Sequence, residues 1–381
     1  MPSSHPRLRI NLNTLRANYA ALQRRAARAQ CGAVVKANAY GLGMRPVAQA
    51  LFEQGCREFF VASLAEALEL RAVLPLAGRI LVLQGCEAGD ESEFARAAIT
   101  PVLISLPMAE RYLGNLAKGP MPASCAIKLN TGMNRLGLDL PEFTYLLKRP
   151  EALHQAGFNL LISHLACADQ PQHPLNSQQL QGFQGALGHA KALFPSLRAS
   201  LANSAGIYLG PEFHFDLVRP GAALYGINPG FPRNPTDAVA SLALQIMQLR
   251  SVPAGSAVGY GASYLASSER RLATVCGGYA DGLLRAFGNR VEALVGGCPV
   301  PMVGRVSMDS LVFDVTDLQQ PLVAGDWIEL LGADNSADAL ALAGGTIGYE
   351  IYARLGERCQ REYLGQRGFD AIVGGVDFVA N

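Results

Sequence analysis

Short apolar runs alternate with longer helical patterns eight times in the first part of this chain. The runs predicted to be β-strands are rich in β-branched residues or leucine and lie at 31–37, 58–63, 79–85, 100–105, 124–130, 159–164, 197–203 and 215–219. Such alternation is typical of parallel sheets, and eight units are enough to close a (β/α)8 TIM-like barrel. An open doubly wound sheet is the alternative, but no GxGxxG motif follows the first strand.

The pattern changes near residue 235, where Gly, Pro and Asn cluster. The strand-like runs beyond it lie at 243–252, 270–279, 291–300, 308–317 and 326–332, with one helical pattern near 346–355. The sequence thus predicts an α/β protein with two domains: a barrel at 1–235 and a mainly-β domain at 236–381. The sequence allows the first ten or so residues to pack on the second domain.

Composition and charge limit the classes of partner. The 32 basic residues nearly cancel the 31 acidic ones, so no global field would gather nucleic acid or an anionic membrane. The start of the chain has no signal-peptide pattern, and no uncharged apolar run approaches the roughly 18 residues of a membrane span. Eight cysteines occur without a CxxC pair, so neither a metal site nor a disulfide framework is predicted. We expect a cytoplasmic protein that binds a small molecule.

Polar residues gather at the carboxyl ends of the predicted barrel strands, where barrel enzymes place their chemistry. Lys36 closes the first strand, Lys128 lies in the fifth, His164 closes the sixth, and Arg219 ends the eighth. Each has a structural alternative, since Lys128 could pair with an acid, Arg219 could form a salt bridge and a lone His is most often a satisfied core residue. Because these residues are all predicted at the same end of the barrel, a functional role is favoured over a structural one.

Glycines beside Ser204 and at Gly221 predict a seat for a phosphate group, because bare backbone N–H groups can approach an anion there. A phosphate seat beside a strand-end lysine indicates pyridoxal phosphate, whose aldehyde needs an amine. The alternative is that Lys36 merely reaches a surface carboxylate.

Nine blocks of the sequence resemble the motifs of the alanine racemase family, in the order of that family. They are AVVKANAYGLG at 33–43, KLNTGMNRLGL at 128–138, SHLACAD at 163–169, NSAG at 203–206, DLVRPGAALYG at 216–226, VGYGASY at 258–264, GYADGLLR at 278–285, VGRVSMD at 303–309 and TIGYEI at 346–351. A related single-domain pyridoxal-phosphate-binding family has a similar lysine strand, but the later blocks lie outside such a domain. The resemblance implies a racemase that interconverts L- and D-alanine, for peptidoglycan synthesis or for alanine catabolism.

The resemblance also implies roles for individual residues. Lys36 would bind the cofactor and act as one of two bases, and Tyr260 would be the other base, reaching in from a second subunit of a homodimer with shared active sites. Two bases suit racemisation, because the α-proton leaves one face and returns on the other. His164, linked to Arg219, would stabilise the Tyr260 phenolate.

The same resemblance assigns cofactor and substrate contacts. The phosphate would be held by Tyr40, Ser204, Tyr349 and the backbone N–H groups of Gly221 and Ala222. Arg219 would donate a hydrogen bond to the pyridine nitrogen. Because a guanidinium cannot accept a hydrogen bond, that nitrogen would stay unprotonated, and the ring would be a weaker electron sink, which favours racemisation over transamination.

The substrate carboxylate would meet Arg135 and the backbone N–H of Met308, with Tyr279 at a narrow entrance supported by Asp309. Lys128 would be carbamylated and would orient Arg135. No metal is implied. Arg135 has an alternative as a solvated charge at a helix start.

Three features depart from the family pattern. Residue 130 is Asn where Asp is more frequent, residue 42 is Leu where His is common, and the tail RCQREY at 358–363 lacks the usual proline. We expect altered electrostatics near Lys128 without loss of the main chemistry. A racemase of serine, lysine or arginine and a non-catalytic pyridoxal-phosphate-binding protein are the alternative functions. A fold-related decarboxylase is disfavoured, because the acidic and cysteine signatures of that family have no convincing match here.

Overall fold

The computed structural model describes residues 5–117 and 119–366. Its strands are, in chain order, β1 (Arg7–Asn11), β2 (Gln30–Cys31), β3 (Ala33–Val34), β4 (Glu58–Val61), β5 (Arg79–Val82), β6 (Ile99–Leu103), β7 (Cys125–Lys128), β8 (Phe158–Ile162), β9 (Arg198–Ser200), β10 (Leu217–Val218), β11 (Ala240–Val252), β12 (Ala257–Val258), β13 (Tyr264–Leu265), β14 (Arg270–Cys276), β15 (Glu292–Val295), β16 (Cys298–Pro301), β17 (Ser310–Asp314), β18 (Trp327–Leu331) and β19 (Gln360–Leu364).

The helices alternate with the barrel strands and return only near the end of the described chain. They are α1 (Leu12–Ala26), α2 (Lys36–Tyr40), α3 (Met44–Glu53), α4 (Leu64–Arg71), α5 (Glu91–Arg96), α6 (Leu106–Gly114), α7 (Leu140–Leu147), α8 (Pro150–Gln155), α9 (Pro174–Leu193), α10 (Ala337–Gly344) and α11 (Gly348–Ala353). Six short 3-10 helices lie at Gly206–Tyr208, Pro211–Phe213, Ala222–Tyr225, Tyr260–Ala262, Tyr279–Asp281 and Arg285–Phe287. Within the described ranges, no helix is long and apolar enough to cross a bilayer.

The first half of the chain is a parallel (β/α)8 barrel. Strands β3 to β9 pair in chain order in one parallel sheet. The barrel closes through β10, because Gly32 N–H and Val34 N–H donate to the carbonyls of Val218 and Pro220, each at 2.9 Å, and Arg219 N–H donates to Ala202 at 2.9 Å. The predicted fold class is therefore confirmed.

The barrel interior is a packed apolar core. Its buried members come from nearly every strand and are Val34, Phe60, Leu81, Val102, Ala126, Leu160, Ile162 and Leu217. A second buried layer fills the space between strands and outer helices. Helix α1 contributes Leu12, Leu15, Tyr19 and Leu22, an apolar stripe at helical spacing, and begins where the Asn11 side chain accepts from Asn13 N–H and Thr14 N–H. Packing in the barrel interior and packing against the outer helices thus both support the rim at the carboxyl ends of the strands.

The second half of the described chain is mainly β. Its central sheet has the order β16, β15, β18, β11, β1, β19, and β14 joins it by pairing with β11 and β17. Strand β1 comes from the chain start and lies between β11, antiparallel to it, and β19, parallel to it. The helical pattern near 346–355 corresponds to α11, but a further helix, α10, precedes it. Residues 367–381 of the predicted second domain lie outside the described ranges.

Several predicted strands are longer than the observed ones, most notably the first. Strand β3 ends at Val34, so the prediction that Lys36 closes a strand is wrong. Lys36 instead begins α2, whose following residues have left-handed backbone angles. The hydrogen bonds show where the strand ends. Val35 N–H still donates to the Phe60 carbonyl on the neighbouring strand at 2.9 Å, whereas Ala37 N–H donates to the Glu66 side chain instead.

Candidate active site

A cavity of about 550 Å³ opens at the carboxyl-terminal rim of the barrel. Ten of the residues singled out in the sequence line it: Lys36, Tyr40, Lys128, Arg135, His164, Ser204, Arg219, Gly221, Ala222 and Tyr349. They come from seven different segments of the chain. A larger cavity, of about 800 Å³, lies in the β domain, but it has neither a lysine nor a histidine among the described residues that line it.

Four other predicted residues do not line the rim cavity of their own chain. Tyr260, Tyr279 and Met308 are 70%, 42% and 52% exposed, unusually high values for large apolar side chains. Asp309 is also exposed and forms a salt bridge at 2.8 Å with Arg358. All four are in the β domain, on segments that follow or precede its strands.

The rim cavity carries an excess of positive charge. Lys36, Lys128, Arg135 and Arg219 line it, and no described lining residue is an aspartate or glutamate. Neither lysine forms a salt bridge or a side-chain hydrogen bond within the described ranges, so both amines lack a counter-ion there. Buried cations without partners are costly, which makes the cavity suited to a ligand with more than one anionic group.

Lys36 starts a left-handed turn. Ala37, Asn38, Ala39 and Tyr40 all have φ between 52° and 56°, a conformation that costs non-glycine residues roughly 1–2 kcal/mol each. Gly41 ends the turn at φ 82°, where a Cβ would overlap the Tyr352 carbonyl oxygen. The turn reverses the chain at once, so that Lys36 and Tyr40 both reach the cavity.

Contacts from both domains hold this turn in place. On the barrel side, Glu66 accepts from Ala37 N–H at 2.7 Å. On the β-domain side, the Arg361 guanidinium donates to the Gly41 carbonyl at 2.9 Å, and Tyr363 Oη donates to the Leu42 carbonyl at 3.0 Å. Leu42, where the family more often has His, is fully buried.

Arg219 is buried, and its guanidinium is held by neutral acceptors. It donates to Ser200 Oγ and to the Ser163 carbonyl. It forms no salt bridge within the described chain, so the alternative of a structural ion pair is wrong, and Asp216 instead accepts from Ala199 N–H. Burial lowers the pKa of Arg219 to about 10, which leaves it charged at neutral pH. Its Nε makes no hydrogen bond with a described residue and is available to a ligand acceptor.

His164 lies 3.5 Å from Arg219, measured from Nδ1 to a terminal guanidinium nitrogen. Burial lowers the pKa of His164 well below its usual range, and the charges of Arg219, Lys128, Arg135 and Lys36 add to the effect. The imidazole is therefore neutral at neutral pH. Because a guanidinium only donates, Nδ1 must accept, which leaves the proton on Nε2.

Lys128 ends β7 and is buried. Burial lowers its pKa to about 8, with further lowering by Arg219, Arg135 and Lys36. A fraction of this amine is thus neutral near physiological pH. The alternative of a structural pair with an acid is not supported, since no described carboxylate bridges to Lys128.

Ser204 and the segment after Arg219 form a small polar cradle. Ser204 Oγ accepts from Gly221 N–H at 2.9 Å and from Ala223 N–H at 3.2 Å. The Ala222 N–H has no partner among the described residues. A Cβ on Gly221 would overlap Tyr40 Oη, so only glycine allows this approach. Tyr349 is next to Tyr40, with ring centroids 6.0 Å apart.

Arg135 lies on the exposed loop between β7 and α7 and reaches the cavity mouth. Asn130 organises this loop: its amide donates to Asp139 at 2.8 Å, and its Oδ1 accepts from Asn134 N–H at 3.0 Å. An aspartate at 130 could not donate to Asp139, which gives the departure from the family pattern a local reason.

These features fit pyridoxal phosphate. The cavity offers an amine without a counter-ion at Lys36, a hydroxyl and backbone N–H cradle at Ser204 and Ala222, and a donor at Arg219 Nε that a ring nitrogen could accept from. Sequence reasoning missed the residues that support them, Ser163, Ser200 and Glu66. Of these, only Glu66 has a sequence signal, because Ser63 and Glu66 form a Ser-x-x-Glu capping pattern.

Comparison with known proteins agrees with this geometry. The family model for the alanine racemase N-terminal domain matches residues 10–229, and that for the alanine racemase C-terminal domain matches residues 239–363. The alanine racemase of Rhodospirillum rubrum is 46% identical over 363 residues, which cover 94% of this chain and 96% of that protein. The catabolic alanine racemase of Agrobacterium fabrum is 43% identical, with 94% and 92% coverage.

A solved structure gives the same result. The crystal structure of alanine racemase from Bartonella henselae with covalently bound pyridoxal phosphate superposes with a TM-score of 0.89 at 40% identity, covering 94% of this chain and 99% of that one. The resemblance found in the sequence is thereby confirmed, and the chain belongs to the alanine racemase family.

Proposed function

We propose that this chain is a pyridoxal-phosphate-dependent alanine racemase that interconverts L- and D-alanine by a two-base mechanism. The observation that carries the proposal is the basic cavity, in which the Lys36 amine has no counter-ion among the described residues and which Arg219 and the Ser204 cradle also line. A carrier that only binds the cofactor would not need Arg135 at the cavity mouth or the exposed Tyr260.

When bound, pyridoxal phosphate withdraws electrons from the α-carbon of an attached amino acid and makes its proton acidic. Lys36 would hold the cofactor and, once displaced by the substrate amine, serve as base on one face. Burial first, and then Arg135, lower the pKa of this amine, which increases the fraction of neutral amine that can act as a base.

Arg219 would set the reaction type. Its free Nε can donate but cannot lose a proton at neutral pH, so it would bind an unprotonated ring nitrogen. This arrangement limits electron withdrawal and favours return of the proton to the α-carbon. Ser163 and Ser200 fix the guanidinium plane, so Nε has one direction in which to donate.

The second base would be Tyr260 of a second copy of the chain. In its own chain Tyr260 is 70% exposed and outside the cavity. A homodimer would bring it, with Met308 and Tyr279, over the rim of the other barrel. The Nε2–H of the neutral His164 would then donate to the tyrosine oxygen and stabilise its phenolate form.

The substrate carboxylate would meet Arg135 and the Met308 N–H, and Tyr279 with Tyr349 would narrow the entrance. A narrow entrance favours a methyl side chain over a longer one. Lys128 would react as a neutral amine with carbon dioxide, forming an N–C bond and releasing one proton. The resulting carbamate would neutralise part of the positive charge and orient Arg135.

We also infer a cytoplasmic location. All eight cysteines are free thiols, and six are buried, as is usual in a reducing compartment. Cell fractionation tests this, and recovery from an oxidising compartment would contradict it.

Reduction with borohydride should attach a pyridoxyl group to Lys36, detected by peptide mapping. The purified protein should racemise alanine at least about tenfold faster, by kcat/KM, than serine, lysine or arginine, because the entrance is narrow. A label on Lys128 would contradict the site, and faster turnover of another amino acid would favour a racemase for that substrate. Binding without exchange of the α-proton would favour a carrier.

The substitution Tyr260→Phe removes only the phenolic oxygen. We expect exchange of the α-proton in heavy water to fall by about 10²–10⁴-fold for one enantiomer of alanine and much less for the other. Tyr264→Phe is the matched control, since Tyr264 lies four residues away and bonds to Asp314 instead. Equal losses for both enantiomers would argue against two bases.

Mixing two inactive variants tests whether the site is shared. Lys36→Ala and Tyr260→Phe, refolded or co-expressed together, should recover about a quarter of wild-type activity, because half of the dimers are mixed and each has one complete site. Size-exclusion chromatography verifies mixing. No recovery in verified mixed dimers would place both bases in one chain.

Carbamylation of Lys128 can be followed by ¹³C NMR in ¹³C-bicarbonate. A carbonyl signal should appear and grow as the pH rises through about 8, because only the neutral amine reacts. Lys128→Ala should lack the signal and Lys36→Ala should keep it. A protein without the signal above that pH would refute the carbamate.

A further inference from the structure

Glu66 lies just outside the cavity and uses both carboxylate oxygens on the backbone that forms it. Oε1 accepts from Ala37 N–H at 2.7 Å, and Oε2 accepts from Ala62 N–H at 2.7 Å. Ala37 and Ala62 both line the cavity. The carboxylate thus bridges the residue after Lys36 to the residue after β4.

The bridge is placed where the backbone most needs it. Ala37 is the first residue of the left-handed turn, and its N–H has left the barrel sheet. Ala37 is exposed, so without Glu66 this N–H would bond to water, and the strained turn would lose its link to helix α4. Ser63 fixes Glu66 in turn, because Ser63 Oγ caps helix α4 by accepting from Glu66 N–H.

We propose that Glu66 is a positioning residue for Lys36: it holds the left-handed turn that follows Lys36 at the cavity, and it places a carboxylate beside that turn. The proposal deepens the proposed racemase function and rests on it. Glu66 is not among the residues that line the cavity, so it would act only through Lys36 and the turn.

The electrostatics agree with the geometry. The charged and titratable groups around Lys36 are Arg135 on the loop after β7, Lys128 on β7, His164 after β8, Arg219 after β10, Tyr40 at the end of α2, Tyr349 on α11 and Glu66 on α4. Burial and Arg135 lower the pKa of Lys36, whereas Glu66 raises it. Loss of the Glu66 charge should therefore lower the pKa of the amine further.

Helix α4 contains its own control. Glu69 is one turn further along the helix, is exposed, and pairs with Arg45 at 3.1 Å on the surface. Glu69→Gln removes the same charge from the same helix without touching the turn. It should leave Lys36 and turnover unchanged.

The test compares Glu66→Gln and Glu66→Ala with Glu69→Gln and wild type. In the cofactor-free proteins, competitive acetylation of Lys36 against pH, read by mass spectrometry, gives the pKa of the amine without using activity. Glu66→Gln should shift this pKa downward. In the loaded enzymes, kcat should fall by at least about tenfold and KM for alanine should change less than about threefold. Circular dichroism confirms folding, and Glu66→Gln, which keeps one acceptor, covers the case in which Glu66→Ala fails to fold.

The outcomes separate the two hypotheses. The role of Glu66 would be overturned if Glu66→Gln and Glu69→Gln showed the same pH dependence of Lys36 acetylation and the same turnover. A fall in kcat with an unchanged Lys36 pKa would overturn the electrostatic part. If wild type itself fails to load cofactor at Lys36 or to racemise alanine, the proposed function fails instead, whereas the acetylation comparison still reports on Glu66.

Discussion

An excess of positive charge, of which Lys128 and Arg219 are buried, governs the rim of this barrel. Lys36, Lys128 and Arg219 approach one cavity, and Arg135 reaches its mouth, with no described acid lining the cavity. Removing such charges from water is costly unless an anion joins them. The structure meets this cost in three ways: neutral oxygens of Ser163 and Ser200 surround Arg219, burial lowers the pKa of both lysines, and Glu66 provides a negative charge from just outside. The cavity is thereby prepared for anionic ligands.

The backbone around Lys36 brings the lysine to this cavity at the barrel rim. A lysine inside the regular strand would continue along the barrel axis, whereas the left-handed turn bends the chain across the rim. The turn is unfavourable by itself for alanine, asparagine and tyrosine. It persists because Glu66 secures one end and Arg361 with Tyr363 secures the other. Strand β19, which carries these last two residues, pairs with β1 from the chain start, so the β domain helps to shape the barrel's site.

The sequence predicted those features that depend on apolar patterning. All eight barrel strands were located, because each must bury continuous apolar surface against its neighbours. Lys36, Lys128, His164 and Arg219 followed from their places near strand ends. Tyr40, Arg135, Tyr260 and Tyr349 came only from the resemblance to the alanine racemase family. The left-handed turn was missed, since Ala37 to Tyr40 contain no glycine to mark positive φ. Ser200 was missed because an inward serine in a strand has the same pattern as a solvent-facing one. The Ser163 contact was missed because a backbone carbonyl makes it, and no side-chain pattern marks such an acceptor. Helix α10 was missed because its Ala- and Leu-rich run is too short to establish a helical period.

The exposed residues of the β domain complete this physical picture. Tyr260 and Met308 leave much of their apolar surface in water, and covering that surface with another protein surface would be favourable in free energy. Chemistry on two faces of one carbon needs groups that approach from opposite directions, and one barrel rim offers only one side. A residue projecting from another copy can approach from the other side and exclude water as it does so. In the proposed homodimer, the exposed segment around Tyr260 would cover the cavity around Lys36 of the other copy, so an exposure that is unfavourable in one chain would become favourable in a symmetric pair.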